Sequence, residues 1–563
     1  MNITTTKSFY HTVLAAILLL AAACSKDKAD VRSGNEPDYS NMARSGVRLV
    51  TFSKTDVMVN GMKVTNWYAS PLNAPVIGAP YPTPYFPATG KLSGTWYLPQ
   101  QFLDSKGQAT IKTGIPQGLS MSDFITDSFL VQDDYYRPSD YYLSTSAAAH
   151  SGIYSVTQVP RTTALPSDPS HIRIRLVNLC TSMGNGGNSG LTLAFADGSP
   201  VNSITSGITN HTWSDYVELP YGTYQFKVLI DGSGSQIPGK PPILTNATSE
   251  VDYSLQGTQV YYSPVQTFQP GGVYTVAVGI TPSAYQFREY PLYPNCFSII
   301  TDIAPTANLT YGRIQMVNAV DEGERGLQIQ IDGMQQPSVP YGKAGSYVTL
   351  VTGTHILKVA DATGKGMIEK SIDLKGGDNL TIWAYPTAGN GTALTVVSNN
   401  MTGARTNGTN ADGSDGANNL YDPLNFNMLV QTRFLNLCPD LPEVTFTTTN
   451  GTLFKEGLFS AARAAQHLLP GIPSSPLTVP YPYVDLRAVT GSEVQVYRSQ
   501  PGVLPGDRIT TVPELTPADF VRMPSSLFLN GSFGAEPGVY TVALVGRNNA
   551  AQHPRMIVIK HNL

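Results

Sequence analysis

Short stretches that alternate between apolar and polar residues, separated by turn residues, recur along this chain of 563 residues. A period of two is that of a β-strand with one buried face. The stretch Leu327–Ile331 ends in Asp332-Gly333, and Val57–Val59 ends in Asn60-Gly61. Asn-Gly and Asp-Gly pairs favour tight turns between antiparallel strands. The pattern therefore predicts an all-β protein made of many short strands.

The strands recur as a three-part motif in four places. An apolar strand led by Arg is followed by an alternating strand that ends in Asn-Gly or Asp-Gly, and then by a strand related to Gly-Val-Tyr-Thr-Val. The arginines are Arg48, Arg175, Arg313 and Arg433, the turns begin at Asn60, Asp197, Asp332 and Asn450, and the third parts are Gly152–Val156, Gly272–Val276, Asn379–Trp383 and Gly538–Val542. Repetition of this kind indicates tandem domains.

A further shared feature is a pair of alternating strands around a short glycine turn, as in 216–228, 347–359 and 483–496. This pattern predicts a β-hairpin in each of these units, with a weaker version in the first unit around Trp96 and Thr110. Each unit then has about seven strands over roughly a hundred residues, which is typical of an antiparallel sandwich.

Four patterns follow one another along these units: R-x-V-N, alternation to D-G, Y-x-x-L-x-x-G-x-Y and G-x-Y-T-V. This order resembles the bacterial extracellular repeat catalogued as domain of unknown function 4397. The match is good over 170–285 and 310–400, fair over 430–563 and weak over 45–160. The resemblance implies Ig-like sandwiches, and it implies no functional residues because the family has no established activity. We therefore expect tandem Ig-like antiparallel β-sandwiches with short helical insertions.

These observations divide the chain into seven segments. They are a signal peptide with lipobox (1–24), a flexible tether (25–42), a divergent first unit with Tyr-rich insertions (43–165), a second unit (166–300), a compact third unit (301–401), a Gly/Asn linker (402–419) and a fourth unit with helical insertions (420–563). The helical insertions are expected at the Ala-rich Lys455–Leu469 and at Thr516–Asp519, which has an N-cap residue and a first-turn Pro.

The N-terminus has the features of a targeting segment. Lys7 precedes the apolar run 13–20, which is short for a membrane span and is followed by Ala21–Ala23 and Cys24. This arrangement resembles the lipobox of Bacteroidota surface lipoproteins, which implies cleavage before Cys24 and its acylation. The alternative is an ordinary signal peptide with a chance Cys. We expect an outer-membrane protein that is anchored in lipid through Cys24, on the cell surface or the periplasmic face.

Composition and cysteine content exclude several classes. Charged residues make up 13% of the chain and the net charge is −4, which disfavours nucleic-acid binding. The cysteines after Cys24 are Cys180, Cys296 and Cys438, an odd number without a C-x-x-C pair. This number indicates neither a disulfide framework nor a cysteine zinc site, and buried thiols are expected.

No catalytic constellation is visible in the sequence. The segment Gly234–Lys240 nearly matches a phosphate loop, but Pro241 stands where Ser or Thr is needed. Asp412 and Asp415 lack EF-hand spacing. Asp133-Asp134 could be a catalytic pair only if the backbone turned between them, so a solvated acidic loop is favoured. We expect no enzymatic activity, no cofactor and no metal.

Aromatic loops in the first unit are the strongest functional signal. Exposed aromatic rings can stack on sugars or anchor a protein partner, and the alternative is that they cover the sandwich ends. The candidate residues are Tyr81, Tyr85, Phe86, Tyr135, Tyr136, Tyr141 and Tyr142. The predicted function is a non-catalytic cell-envelope protein for adhesion, ligand capture or a stalk role. The alternatives are a glycan-binding accessory lipoprotein of a nutrient-uptake system and a fimbrial or pilus component.

Overall fold

Strands dominate the fold in a computed structural model of the chain, which has no helix of seven or more residues among those it describes. The described residues are 42–51, 56–65, 83–86, 92, 94–116, 124–145, 154–179, 190–231, 244–246, 265–280, 286–287, 290–291, 295–305, 310–320, 326–361, 363–364, 366–389, 391–399, 429–456, 460–474, 482–487, 493–500, 502–521, 536, 538–549 and 553–562. The predicted all-β class with tandem sandwiches is confirmed.

The first unit contains eight described strands in two sheets. They are β1 (Arg44–Thr51), β2 (Asp56–Val59), β3 (Met62–Lys63), β4 (Gly94–Pro99), β5 (Gln108–Pro116), β6 (Phe124–Gln132), β7 (Ser139–Thr145) and β8 (Tyr154–Pro160). One sheet has the order β4-β1-β7-β8, and the other has the order β3-β2-β5-β6. We call the first type the arginine sheet, because it holds the Arg-led strand, and the second type the turn sheet.

The second unit follows the same plan with additional short strands. They are β9 (His171–Asn178), β10 (Leu191–Phe195), β11 (Thr212–Trp213), β12 (Val217–Pro220), β13 (Gly222–Tyr224), β14 (Phe226–Asp231), β15 (Leu244–Asn246), β16 (Gln266–Phe268), β17 (Val273–Ile280), β18 (Gln286–Phe287), β19 (Tyr290–Pro291) and β20 (Asn295–Ile303). Its arginine sheet has the order β11-β9-β17-β20 with β12 also on β9, and its turn sheet has the order β10-β14-β15.

The third unit has the most regular sheets. Its strands are β21 (Tyr311–Asn318), β22 (Leu327–Ile331), β23 (Met334–Val339), β24 (Val348–Val351), β25 (Gly353–Ala360), β26 (Ile368–Leu374), β27 (Asn379–Pro386) and β28 (Thr392–Ser398). The arginine sheet is β24-β21-β27-β28 and the turn sheet is β23-β22-β25-β26. Ile314 and Ile382 from the first sheet share a core with Ile329 and Leu357 from the second, which makes the unit a sandwich.

The fourth unit repeats the arrangement with shorter strands. They are β29 (Leu429–Asn436), β30 (Val444–Thr447), β31 (Lys455–Glu456), β32 (Ser460–Ala461), β33 (Val484–Arg487), β34 (Gln495–Gln500), β35 (Val503–Arg508), β36 (Gly538–Val545) and β37 (Arg555–Lys560). The sheets are β33-β29-β36-β37 and β30-β34-β35, with a separate β31-β32 pair.

Each arginine sheet contains one parallel pair at its centre, which the antiparallel prediction did not include. The Arg-led strand lies parallel to the strand before the last, as in β9 with β17 and β29 with β36. In the first unit the corresponding strand is β7, which contains Tyr141 and Tyr142. The sequence interpretation made Gly152–Val156 the equivalent of Gly272–Val276. This equivalence is wrong, since 154–156 lie on β8, the edge strand next to β7.

The predicted glycine hairpins are not hairpins. In the third unit β24 pairs with β21 in the arginine sheet, whereas β25 pairs with β22 and β26 in the turn sheet. The chain therefore crosses from one sheet to the other at Gly353, and the same crossing separates β33 from β34 in the fourth unit. The alternating pattern correctly predicts that both segments are strands, but it does not predict the strand with which each one pairs.

The two helical insertions differ from the expectation. Lys455–Leu469 contains the β31-β32 pair and a 3-10 turn at Arg463–Ala465, so the prediction of a helix there was wrong. Pro517–Asp519 is a single 3-10 turn in which the Thr516 hydroxyl accepts from the backbone N–H of Ala518, as its N-cap pattern predicted.

Candidate functional site

The candidate site is the loop between β6 and β7, residues 133–137, which we call the tyrosine loop. Tyr135 and Tyr136 are 84% and 86% exposed, which is more than any other large apolar side chain among those the structure describes. Their ring centroids lie 5.4 Å apart with the ring planes at 88°. The loop thus presents two crossed aromatic rings to solvent.

Hydrogen bonds to the carboxylates of both acidic residues fix the backbone of the loop. Asp134 Oδ1 accepts from the backbone N–H of Tyr136 at 2.9 Å and from that of Arg137 at 3.1 Å. Asp133 Oδ1 accepts from the backbone N–H of Gly46 on β1 at 2.6 Å. The carboxylates therefore support the conformation of the loop.

Close backbone packing joins the loop to its neighbours. The Asp133 N–H donates to the Gly107 carbonyl at 2.8 Å, and Gln132 Nε2 donates to the carbonyls of Lys106 and Asp133 at 3.0 and 3.1 Å. A Cβ at Gly46 would lie 2.9 Å from Asp133 Oδ1 and 3.2 Å from the Asp134 carbonyl. A larger residue at position 46 would therefore require the Asp133 carboxylate and the loop backbone to shift.

Tyr85 and Phe86 do not form part of this exposed surface. They are half-buried against the core of the first unit, where Tyr85 lies 5.2 Å from Phe102 and Phe86 lies 5.3 Å from Trp96, measured between ring centroids. Tyr81 lies outside the described residues. The part of the aromatic prediction that relied on exposed rings at Tyr85 and Phe86 therefore does not hold.

Tyr141 and Tyr142 are buried on the central strand β7. Tyr141 packs in the core of the first unit, and its hydroxyl accepts from the backbone N–H of Gln132 at 3.1 Å. Tyr142 faces the second unit, where it packs with Val177 and Ile300. Burial raises the pKa of Tyr142 well above its ordinary value. Neither ring can contact a ligand in this fold, because strand alternation directs one to each covered face.

Other candidate groups have structural roles. His355 Nδ1 lies 2.6 Å from Asp332 Oδ2, and its Nε2 lies 2.7 Å from the Val351 carbonyl. Cys438 is a free and buried thiol, as expected, and burial raises its pKa to about 11. Cys24, the near-match to a phosphate loop at 234–240 and the Asp412–Asp415 segment lie outside the described residues.

The described ranges contain neither a metal-binding cluster nor a membrane-spanning helix. No group of three or more His, Cys, Asp or Glu side chains there is arranged to hold a metal ion. None of the helices in those ranges is long and apolar enough to cross a membrane.

Comparison with known proteins adds little. No family model matches the chain, and no curated protein matches it. Among solved structures it is similar to the Bacillus anthracis TIE protein (11% identity over 60% of this chain, TM-score 0.11). It covers 49% of that protein, about half its length. A candidate cell adhesion protein from Bacteroides ovatus gives 9% identity over 41% of this chain and 96% of its own, with a TM-score of 0.13.

A third similar structure is BcpA, the major pilin subunit of Bacillus cereus, at 12% identity over 67% of this chain and 99% of its own, with a TM-score of 0.11. TM-scores of this size are too low to carry an argument about function.

Proposed function

We propose that this protein is a non-catalytic, lipid-anchored protein of the cell envelope that captures a ligand with the tyrosine loop of its first unit. The observation that carries the proposal is the pair of exposed rings, Tyr135 and Tyr136, on a backbone held by Asp133 and Asp134. Solvent-exposed rings bury a large area on binding, and a fixed loop loses little conformational entropy. Adhesion to a surface glycan or protein is the function that such a loop supports best.

The second candidate is a glycan-binding accessory lipoprotein of a nutrient-uptake system. It is favoured by the exposed ring faces, since tyrosine rings stack on sugar rings, and a sugar ligand needs no deep cavity. Both candidates use the same two side chains, and the identity of the ligand distinguishes them. A ligand on other cells supports adhesion, whereas a soluble oligosaccharide supports uptake.

The test is to make the double variant Tyr135→Ala/Tyr136→Ala and to measure its binding to whole cells and to a glycan array. We expect binding to fall about tenfold or more, because aromatic anchors contribute much of the binding energy. The melting temperature should stay unchanged, since both rings are exposed. Trp213→Ala, which removes an exposed aromatic ring from the second unit, is the matched control and should retain full binding.

Unchanged binding by the double variant would remove the tyrosine loop as the site. If neither the wild-type chain nor the control binds any cell or glycan, ligand capture is wrong, and a spacer role becomes the better proposal.

Membrane anchoring is tested separately. We expect Cys24→Ser to release the protein from the membrane fraction, because the acylated thiol is the proposed attachment point and multiple acyl chains are needed for stable anchoring. Ser25→Ala is the control and should stay with membranes. Unchanged membrane fractionation of Cys24→Ser, measured by carbonate extraction, would contradict the lipid anchor.

A further inference from the structure

One strand position in every unit is buried and polar, and it contacts another unit. The parallel register aligns Arg48 with Asp140, Arg175 with Thr275, Gln315 with Thr381, and Arg433 with Thr541. The equivalent residues are therefore Arg48, Arg175, Gln315 and Arg433, which we call the junction residues. Register places Gln315 rather than Arg313 at this position, which corrects the sequence alignment of the third unit.

The first two junction residues reach the last strand of each other's unit. Arg48 donates from Nη1 to the Thr301 carbonyl at 2.8 Å, and its Nη2 pairs with Asp302. In return, Arg175 donates from Nη1 to the Pro160 carbonyl at 2.6 Å. Thr301 and Asp302 lie on β20, and Pro160 ends β8. The contacts are reciprocal, as in a pair related by a local twofold axis.

Buried arginines in this junction are paired with buried carboxylates. Asp140 is fully buried and accepts from Arg48 Nε at 2.8 Å and from Arg161 Nη1 at 2.5 Å. Burial by itself would raise the pKa of Asp140, but Arg48 and Arg161 beside it hold that pKa below its ordinary value. A buried guanidinium is tolerated only where its donors find such partners.

The third and fourth units repeat the arrangement. Arg433 donates from Nη1 to Asn399 Oδ1 at 2.8 Å and from Nη2 to the Ser398 carbonyl, at the end of β28. In return, Gln315 Oε1 lies 3.1 Å from Nδ1 of His561, immediately after β37. The third and fourth units therefore also contact each other in both directions, although Gln315 meets a histidine side chain instead of a backbone carbonyl.

Apolar side chains fill the space around the junction residues. In the first pair Val50, Tyr142 and Val159 pack on Val177, Leu179, Ala277 and Ile300. In the second pair Val317, Ala319, Trp383 and Val397 pack on Leu435, Leu437, Ala543, Val545, Ile557 and Ile559. All of these side chains point out of their own sandwiches. A free arginine sheet would expose this apolar face to water.

A different set of contacts joins the two pairs. Arg313 Nη1 donates to the Tyr221 carbonyl, and the guanidinium lies 4.2 Å from the centroid of the Tyr347 ring. Asn379 Nδ2 donates to Thr223 Oγ1 at 2.7 Å. The second and third units are thus in contact through side chains outside the junction positions.

We propose that the outer face of the arginine sheet is a docking surface for a second unit of the same repeat, and that the junction residue sets the register of docking. A guanidinium that donates to the last carbonyls of the facing unit fits only one relative placement, and so does an amide oxygen that faces the ring of His561. The chain then behaves as one body made of two back-to-back pairs, and covalent continuity between the third and fourth units is not required for their association.

The test is to insert a site-specific protease sequence into segment 402–419 of the full chain, cleave it, and follow the fragments by sedimentation velocity. We expect both fragments to sediment together with the mass of the intact chain at micromolar concentration. Separation of the cleaved wild-type fragments, each with an unchanged far-ultraviolet circular dichroism spectrum, would overturn the proposal.

Two variants test the junction itself. Arg433→Met removes the donors and should raise the dissociation constant of the cleaved fragments about 30-fold or more, because Asn399 and the Ser398 carbonyl lose buried partners. Arg463→Met is the matched control on an exposed turn and should leave the constant unchanged. Equal constants for the two variants would overturn the role of Arg433.

A second variant covers the case in which Arg433→Met does not fold. Ile559→Lys places a charge on the apolar docking face of the edge strand β37, a site that solvent would reach if the fourth unit were free. We expect this variant to fold and to separate from the other fragment after cleavage. Continued co-sedimentation of the Ile559→Lys fragments would contradict the docking surface.

Discussion

Backbone conformation decides the residue type at the repeated turns. Asp332 and Gly333 have φ values of 51° and 80°, and pairs with both φ values positive also occur at Asn60 and Asn450. L-residues rarely adopt this region, while Gly adopts it freely and Asn or Asp tolerates it. Ile331 and Met334 pair directly across the turn. The predicted structural turn is therefore present at this residue pair.

We expect Gly333→Val to destabilise the third unit by about 1–3 kcal/mol. A Cβ at Gly333 would have no atom within 4 Å, so the cost comes from the backbone conformation and not from a clash. Gly389→Val is the matched control, since its Cβ would also meet nothing and its φ is not positive. Hydrogen exchange of amides in 326–361 measures the effect, and equal protection in the two variants would contradict the turn.

At the scale of the element, alternation predicts that a segment is a strand but not which strand it pairs with. The segments β24 and β25 are both strands, as predicted, yet they belong to different sheets. A period-two pattern fits a hairpin and a sheet-to-sheet crossing equally well, because the pattern shows only that each strand has one buried face. Long-range pairing with β21 and β22 decides between the two arrangements.

The assignment of β7 as a central strand gives a testable order of stabilities. Leu143 is fully buried on β7, whereas Val156 on the edge strand β8 is only partly buried. We expect Leu143→Ala to cost about 2–5 kcal/mol, by loss of apolar burial and creation of a cavity, and Val156→Ala to cost less than about half of that. Denaturant unfolding of both variants measures the order. A larger cost at Val156 would favour the sequence interpretation that made 152–156 the equivalent of 272–276 on the central strand β17.

At the scale of the whole molecule, His561 links stability to pH. It is buried between the third and fourth units, where Thr541 Oγ1 lies 2.8 Å from its Nε2. Gln315 Oε1 can only accept, so the proton lies on Nδ1 of a neutral ring. Burial, with Arg433 nearby, lowers the pKa of His561 to about 3. The unfolded chain binds this proton near its ordinary pKa of about 6.5.

A lowered folded-state pKa means that the contribution of His561 is full above about pH 6.5 and is lost as the pH falls towards the folded-state value. Between about pH 7 and pH 5 we expect a loss of about 2 kcal/mol in the free energy of unfolding. His561→Gln should abolish this part of the loss, while His553→Gln, at an exposed position, should retain it. Identical pH profiles for the two variants, measured by urea unfolding, would contradict the assignment.

The candidate site was only partly predictable. Local composition predicts seven aromatic residues as ligand-binding candidates, and two of them, Tyr135 and Tyr136, are exposed on the loop. Tyr141 and Tyr142 have the same composition around them but lie on a strand between two covered faces. Nothing local in the sequence separates these pairs, because burial depends on the strand that pairs with β1.

The sequence by itself determined the repeated units, most of their strands and their turns, since alternation and Asn-Gly or Asp-Gly pairs act over a few residues. Only the tertiary structure decided what covers the outer faces. Leu176 and Val177 are adjacent, yet Leu176 lies in the core of its own sandwich and Val177 packs on the first unit. Strands that are buried on both faces have continuous apolar runs. The second covered face becomes visible only when the junction residues bring two units together.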